Sequence, residues 1–519
     1  MRHHRNTGSR AAAQAIVVAT ALCCMTCMTL AQRGLPAVVK GPEGSRYFGH
    51  GVASGGDADG DGFHDILVTD KYYSENELRV GRCIMISGRD GSEVWRSVGR
   101  GAQFASPNYI KPAFIGDIDG DRCDDVIIGW PSAEEVRGRV EVRSGRTGEE
   151  LFTLIGVELN DRLGRDVAGV GDVDGDDVPD FGLVTKWLAV GAVSIRSGRD
   201  GSEIHAVERP WPRSVAGVGD LDDDGHADFA VGGWNSSGRG VAVFSGRTGE
   251  VIYDLPPPDP SDNNFGWSIA SGHDIDGDQV PDYITSGHIG FGQGRVYLFS
   301  GATGEVVSTM IKANNAQVFG ITLHLADVNG DGAPEACIGD ASGHFVFDPP
   351  SAALLHWSPP AVVERFSPVY FGAEYAIGDV NGDGLADFVA GRYGGMGHVI
   401  LDAGAPMLLS PVPFTASFRR GRVMELQVTG AYPGRVIQLL ATRHGSTCSF
   451  IGRLQICIDL ARPFISVAES VADADGTASF SLPIAPQTPT GSAWLQALDP
   501  SDPQRGAITS NVLEIVVAP

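Results

Sequence analysis

Short apolar runs punctuate the chain: Ile66-Leu-Val68, Val126-Ile-Ile128, Phe229-Ala-Val231 and Phe388-Val-Ala390. Each is followed by a variable, glycine-rich connection and then an alternating segment such as Val140-Glu-Val142 or Val296-Tyr-Leu-Phe299, the period-two pattern of a half-buried strand. Five copies then turn through Ser-Gly-x-(Thr/Asp)-Gly, at 87–91, 144–148, 197–201, 245–249 and 300–304. A further strand follows, as in Glu150-Leu-Phe-Thr-Leu154, and the unit restarts at Phe-Gly, as at Phe48-Gly49, Phe265-Gly266, Phe319-Gly320 and Phe371-Gly372. Four short strands per unit predict a propeller blade, and seven units predict seven blades. The last unit stops after its third strand, His398–Leu401, while Ala37-Val-Val-Lys40 sits where a fourth strand belongs. That segment is expected to complete the last blade and leave no open sheet edge.

Beyond Gly404-Ala-Pro-Met the composition shifts. Short strands at Met424–Val428, Val436–Leu440, Ala478–Leu482 and Val512–Val517 lie between Gly/Pro turns. Residues 405–519 therefore read as a small β-sandwich, a second all-β unit after a propeller over 36–404. At the other end, basic residues up to Arg10 precede an apolar run from about Ala11 to Leu30. The order is that of a secretory signal over residues 1–31, with Thr29-Leu-Ala31 as the cleavage site. An uncleaved anchor is the alternative, because the run is nearly long enough to span a bilayer. The expected localisation is secreted, extracellular or cell-surface, with no membrane span in the mature chain.

Each unit also carries a nine-residue acidic segment just before its first apolar run. The first is Asp57-Ala-Asp59-Gly-Asp61-Gly-Phe-His-Asp65, with carboxylates at positions 1, 3, 5 and 9. The others are Asp117/Asp119/Asp121/Asp125, Asp172/Asp174/Asp176/Asp180, Asp220/Asp222/Asp224/Asp228 and Asp274/Asp276/Asp278/Asp282, then Asp327/Asn329/Asp331/Glu335 and Asp379/Asn381/Asp383/Asp387. Successive first aspartates lie 60, 55, 48, 54, 53 and 52 residues apart. A hard divalent cation takes six to eight oxygen ligands, and a tight loop supplies them by aiming alternate side chains inward and closing with a carboxylate. Glycine at position 4 or 6 accommodates the positive φ of such a curl. Asparagine at position 3 keeps a carbonyl ligand without the charge. Asp/Gly turns form for local reasons too, but seven copies at one period point to Ca²⁺, up to seven ions per chain.

The formal charge of −25 takes on a meaning in this light. The loops hold five sets of four carboxylates and two of three, 26 in all, so seven divalent cations (+14) would leave about −11. Such a chain is a poor partner for nucleic acid or anionic lipid. Outside the leader the cysteines are Cys83, Cys123, Cys337, Cys448 and Cys457. The last two, nine apart, are a candidate local disulfide in an exported protein. The other three form no obvious pair.

The Phe-Gly start, the Asp-rich loop, Gly129-Trp-Pro131 and the alternating strand resemble the FG-GAP repeat of integrin alpha-subunit propellers and of many bacterial secreted proteins. The resemblance covers about residues 36–404. It departs at Gly129-Trp-Pro131, where the family has Gly-Ala-Pro, and in the sixth unit, where Phe347-Asp-Pro-Pro350 replaces the Ser-Gly turn. It implies that the calcium loops lie on the side opposite the connections between second and third strands. Those connections carry aromatics: Tyr72 and Tyr73, Trp130, Trp187, Trp234, His288 (with Phe291) and Tyr393. Two readings follow, a ring of aromatics on one face suited to sugars or a protein partner, or rings that plug the channel and pack blade on blade.

No Gly-x-Ser-x-Gly elbow, His-Glu-x-x-His helix, phosphate-binding Gly-Lys loop or Arg-Gly-Asp occurs. The expectation is non-enzymatic binding of an extracellular protein or polysaccharide. The alternatives are a lectin or polysaccharide-degrading enzyme, which could use His288, His344 or His398, and a purely structural matrix component.

Overall fold

The computed structural model describes residues 38–41, 48–75, 78–99, 110–186, 191–235, 238–262, 264–288, 294–312, 319–328, 332–340, 343–358, 375–380, 386–392, 398–402, 408–412, 417–419, 423–429, 436–442, 446–451, 456–460, 465–471, 478–483, 491–502 and 506–518. Almost all of them are strand or turn. Seven four-stranded antiparallel sheets follow one another along the chain. In the first, Phe48–Ser54, Ile66–Asp70, Arg82–Ile86 and Glu93–Val98 pair in chain order. The same order recurs in the second (Lys111–Gly116, Asp125–Trp130, Arg139–Arg143, Glu150–Ile155) and on to the sixth, which ends with Ala353–Ser358. The seventh contains Tyr375–Gly378, Asp387–Arg392 and His398–Asp402, and takes its fourth strand from the start of the chain. Val38 pairs with Ile400, Val39 with Val399 and Lys40 with His398.

The first strand of each sheet lies against the first strand of the next, and that of the seventh against that of the first. Seven apolar clusters follow the same cycle. One joins Leu67 and Met85 of the first sheet to Val126, Ile128 and Trp130 of the second. The next joins Ile127 and Val142 of the second to Phe181 and Leu183 of the third. The last joins Val389 of the seventh to Phe48, Ile66 and Val68 of the first. A second strand thus sends alternate side chains into two different cores, which is why it reads as a continuous apolar run instead of alternating with polar residues. Ile66, Leu67 and Val68 are all fully buried.

The sixth sheet keeps its last hairpin without the Ser-Gly turn, because Ala352 takes the positive φ (54°) there. Residues 408–518 form a three-stranded sheet and a five-stranded sheet that touch each other, plus the hairpin Ser446–Ile451/Ile456–Leu460. One pairing in the larger sheet is parallel, Ser417–Arg419 with Gly506–Ala518. The hairpin register sets Phe450, not Cys448, opposite Cys457. Cys83, Cys123 and Cys337 are buried free thiols. Among the described residues no helix is long and apolar enough to cross a membrane. The leader, 1–31, lies outside the described residues.

Candidate functional site

Each acidic segment joins the C-terminal end of a first strand to a second strand, and its position-9 residue lies at or just before the start of the second strand. The curl is held by its own carboxylates. Asp57 Oδ1 accepts from the N–H groups of Gly60 (2.8 Å) and Asp61 (3.1 Å), and Oδ2 from that of Gly62 (2.8 Å). Asp117, Asp172 and Asp274 repeat all three bonds, and Asp220 repeats the last two. Glycine proves dispensable at position 6: Arg122, Asp177 and Gln279 adopt φ of 69°, 64° and 74° there, held by the same bond to position 1.

Position 9 has a further role that spacing alone did not reveal. The buried Asp125 accepts from Ile118 and Asp119 through Oδ2, and through Oδ1 from the N–H of Gly145, in the Ser-Gly turn. Asp65, Asp180, Asp228 and Asp282 make the same long-range bond to Gly88, Gly198, Gly246 and Gly301. These turn glycines are functional residues that the motif reading missed. A Cβ on Gly145 would lie 2.0 Å from the carbonyl oxygen of Asp124, so no larger residue fits. The signal was the Ser-Gly pair standing at a similar distance after position 9 in five of the seven units.

The loops are also wired to one another. The position-8 N–H of one donates to the position-1 carbonyl of the loop before it: Asp124 to Asp57 (2.9 Å), Ala227 to Asp172 (2.8 Å), Ala386 to Asp327 (3.2 Å), and His64 of the first to Asp379 of the seventh (3.0 Å). Where position 8 is Pro179 or Pro281 no N–H exists, and the ring rests instead near Gly116 or Gly219.

The electrostatics fit a cation. Carboxylate oxygens of Asp57/Asp59/Asp61, Asp117/Asp119/Asp125, Asp172/Asp174/Asp180, Asp220/Asp222/Asp228 and Asp274/Asp276/Asp282 lie within 4.8 Å of one another in each group. Each of these groups gathers three of the four carboxylates expected as ligands in its loop. In the second to fifth loops the residues left out of the group are those at position 5: Asp121, Asp176, Asp224 and Asp278. Oδ1 of each accepts from the N–H two residues on, that of Cys123 (2.9 Å), Val178 (3.0 Å), His226 (3.0 Å) or Val280 (2.9 Å), a bond that Asp61 also takes from Phe63 (3.0 Å) while belonging to its group. Arginines lie beside two of them, Arg146 beside Asp121 and Arg199 beside Asp176. In the first loop Asp61 belongs to the group and Asp65 is the one left out, although it accepts from Ala58, Asp59 and Gly88 as its counterparts do from theirs.

Burial pushes Asp65 up to about 7, and Asp125, Asp180 and Asp228 up to about 6, against the pull of their N–H donors. Asp61, Asp174 and Asp222 are also raised, by burial and by neighbouring carboxylates. A bound divalent ion would relieve this crowding through an all-oxygen donor set. In the sixth and seventh loops Asp327, Glu335, Asp379 and Asp387 hold the same outline, with Glu335 and Asp387 accepting from Val328 and Val380. Asn329, Asp331, Asn381 and Asp383 lie outside the described residues.

Of the expected aromatic ring, Tyr72, Tyr73 and Trp130 have described side chains. Trp130 is 1 % exposed and packs in the core between the first two sheets, so there the packing reading holds and Trp130 offers no face to a ligand. Tyr73 lies under the Arg82 guanidinium, 4.1 Å from ring centre to Cζ. Tyr72 lines a cavity of about 1330 Å³ enclosed by the first strands. Trp234 and His288 are placed by backbone alone, opposite Arg239 and Arg295. Trp187, Phe291 and Tyr393 lie outside the described residues. His344 is buried and stacked on Phe388 at 3.9 Å, with its pKa lowered to about 3 by burial, a packing role and not an acid–base one.

No protein-family profile matches the chain. It is 31 % identical to human integrin alpha-X over 170 residues, which is 30 % of this chain and 14 % of that protein. It is 32 % identical to integrin alpha-PS2 of Drosophila melanogaster over 101 residues, 19 % of this chain and 7 % of that one. The likeness to integrin alpha chains is weak and partial, and the chain spans a small fraction of their length. A crystal structure of the V. cholerae biofilm matrix protein Bap1 aligns over 90 % of this chain and 66 % of that one, at 14 % identity and a TM-score of 0.34.

Proposed function

We propose that this is a secreted calcium-binding protein of the bacterial FG-GAP type. Its seven sheets act as blades of a propeller over 36–404, with 405–519 as an attached β-sandwich. It works by holding an extracellular protein or glycan at a surface or in a matrix, without catalysis. The cyclic contacts of the first strands and the shared cores support the propeller. The strand Val38–Lys40 in the seventh sheet supports it further, since it leaves no unpaired fourth position. The partial likeness to integrin alpha chains supports an extracellular or surface setting.

The observation that carries the reading is the placement of every metal loop after a first strand, at one end of the cavity. Calcium there would be held by carboxylates already bound to the backbone, so it would serve to neutralise and stiffen that end. Position-5 carboxylates such as Asp224 and Asp278 would turn inward to join the ion. Recognition would then fall to the opposite end. The test is retention of the full chain on insoluble polysaccharides and on matrix protein, with calcium and with chelator, while assaying the supernatant for released sugar. Calcium-dependent retention without release is expected. Soluble fragments would replace this reading with an enzyme, and absence of retention on every surface would contradict it.

A further inference from the structure

The acidity of this chain is unevenly spread, and the end of the cavity away from the metal loops is basic. Lys111 opens the first strand of the second sheet, Arg165 comes two residues before that of the third, and Arg213 one residue before that of the fourth. Lys71 follows the second strand of the first sheet, whose end pairs Asp70 with Phe48, and so reaches the same level. These four and Arg162 all line the cavity. Because first strands run four to seven residues, this level is roughly 15–20 Å from the loops. Against the five cations the same end contributes one carboxylate among the described lining residues, Asp166, 3.7 Å from Lys111. Among the described lining residues of that end the balance is thus +4, in a chain whose total is −25.

Two further observations turn a charge pattern into a site. Arg162 and Trp211 both hold left-handed backbone, at φ 58° and 46°, a conformation costly for such residues and concentrated at functional positions. Trp211 is 37 % exposed, between Pro210 and Pro212, in the segment that leads to Arg213. The Arg213 guanidinium in turn lies over the ring of Trp267, 4.4 Å from its centre, and Trp267 also lines the cavity. Cationic forks beside aromatic faces suit a ligand that carries both carboxylates and apolar sugar faces.

We propose that this basic mouth binds an acidic polysaccharide bearing uronate residues. The inference rests on the binding reading above and names its ligand class and site. Nucleic acid fits less well: a long, densely charged strand needs an extended basic track, whereas five cations at one opening match sparse carboxylates.

The test uses the calcium-loaded full chain and hyaluronan hexasaccharide, with chitohexaose as the neutral comparison and single-stranded DNA as the polyanion. The hexasaccharide should bind at least tenfold more tightly than chitohexaose, and more weakly as salt rises. Arg162→Gln/Arg165→Gln/Arg213→Gln should lose at least tenfold with bound calcium and melting temperature kept. Trp211→Ala, at an exposed position that spares the core, should weaken binding as well. Arg96→Gln, in the fourth strand of the first sheet, should change nothing. Equal binding by the triple variant, or a preference for DNA, would overturn the proposal. If the triple variant is retained on matrix as well as the wild type, the mouth is refuted and the general binding reading stands; if neither protein is retained, the general reading fails.

Discussion

At the residue scale, the position-5 carboxylates meet competition from within the chain. Arg146 Nη1 lies 3.9 Å from Asp121 Oδ2, and Arg199 forms an ion pair with Asp176, each arginine following the Ser-Gly pair of its own turn. The fifth turn carries Ala302 at that place, so Asp278 faces no such arginine from its own unit. An arginine on a metal loop supplies positive charge when no ion does, and must yield when one binds. Arg199→Ala is therefore expected to tighten calcium at the third loop by about two- to fivefold, the scale of an exposed pair. The corresponding change at Ala302, Ala302→Arg, should weaken the fifth. Site-resolved calcium titration checks both. His344 carries a different prediction. Burial lowers its folded pKa to about 3, below the ordinary value of 6.5, so the unfolded chain binds the extra proton between those values. Stability from the neutral ring is full above about pH 6.5 and falls as pH drops towards 3. On going from pH 7 to pH 4 the wild type should lose more melting temperature than His344→Phe, as calorimetry can measure.

At the element scale, the unit is a strand, a metal loop, a strand and a Ser-Gly turn tied back to that loop. The tie is the bond from Gly145 to Asp125 and its four counterparts. Gly145→Ala would drive a methyl group into the carbonyl of Asp124. A loss of roughly 2 kcal/mol or more is expected from the strain and the disturbed bond. Calcium affinity at the second loop should fall with it, as melting curves with and without calcium would show.

Much of this unit was legible in the chain, because loop ligands and strand alternation are local patterns. Asp57 to Asp65 declares a curl, and Ile66 to Val68 a doubly buried strand. The tie itself was marked only by the recurrence of the Ser-Gly pair after position 9, since nothing local marks Gly145 as the donor to a carboxylate twenty residues before it. Nor does spacing show that Asp224 and Asp278 spend an oxygen on the backbone of His226 and Val280, because the motif counts carboxylates and not what they already bind. Trp130 meets the packing one of the two readings that the sequence left open. Its distance from position 9 matches that of the other aromatics, and it belongs to the second strand and turns into the core. The basic mouth was overlooked because Lys111, Arg165 and Arg213 stand at strand starts, and only the contact of neighbouring first strands brings them together.

At the scale of the molecule, the loops are links in a cycle. At four of the seven junctions a position-1 aspartate offers its carboxylate to the metal site and its carbonyl to the next loop, up to the bond from His64 to Asp379, and at the other three Pro179, Pro281 or Pro334 has no N–H to give. With extracellular-type affinities on the order of 10⁻⁴ M, each ion at tenfold excess contributes about 1.4 kcal/mol by mass action. Seven such terms approach the roughly 5–15 kcal/mol of a typical domain. Chelation should therefore lower the melting temperature by on the order of 10 °C.

The most direct measurement is the number of calcium ions held per full chain, by equilibrium dialysis or native mass spectrometry, for the wild type and for Asp172→Asn. The five clustered aspartate groups and the two further loops predict between five and seven ions, with about one lost in the variant. A chain that holds none, or one whose count is unchanged by Asp172→Asn, would contradict the account.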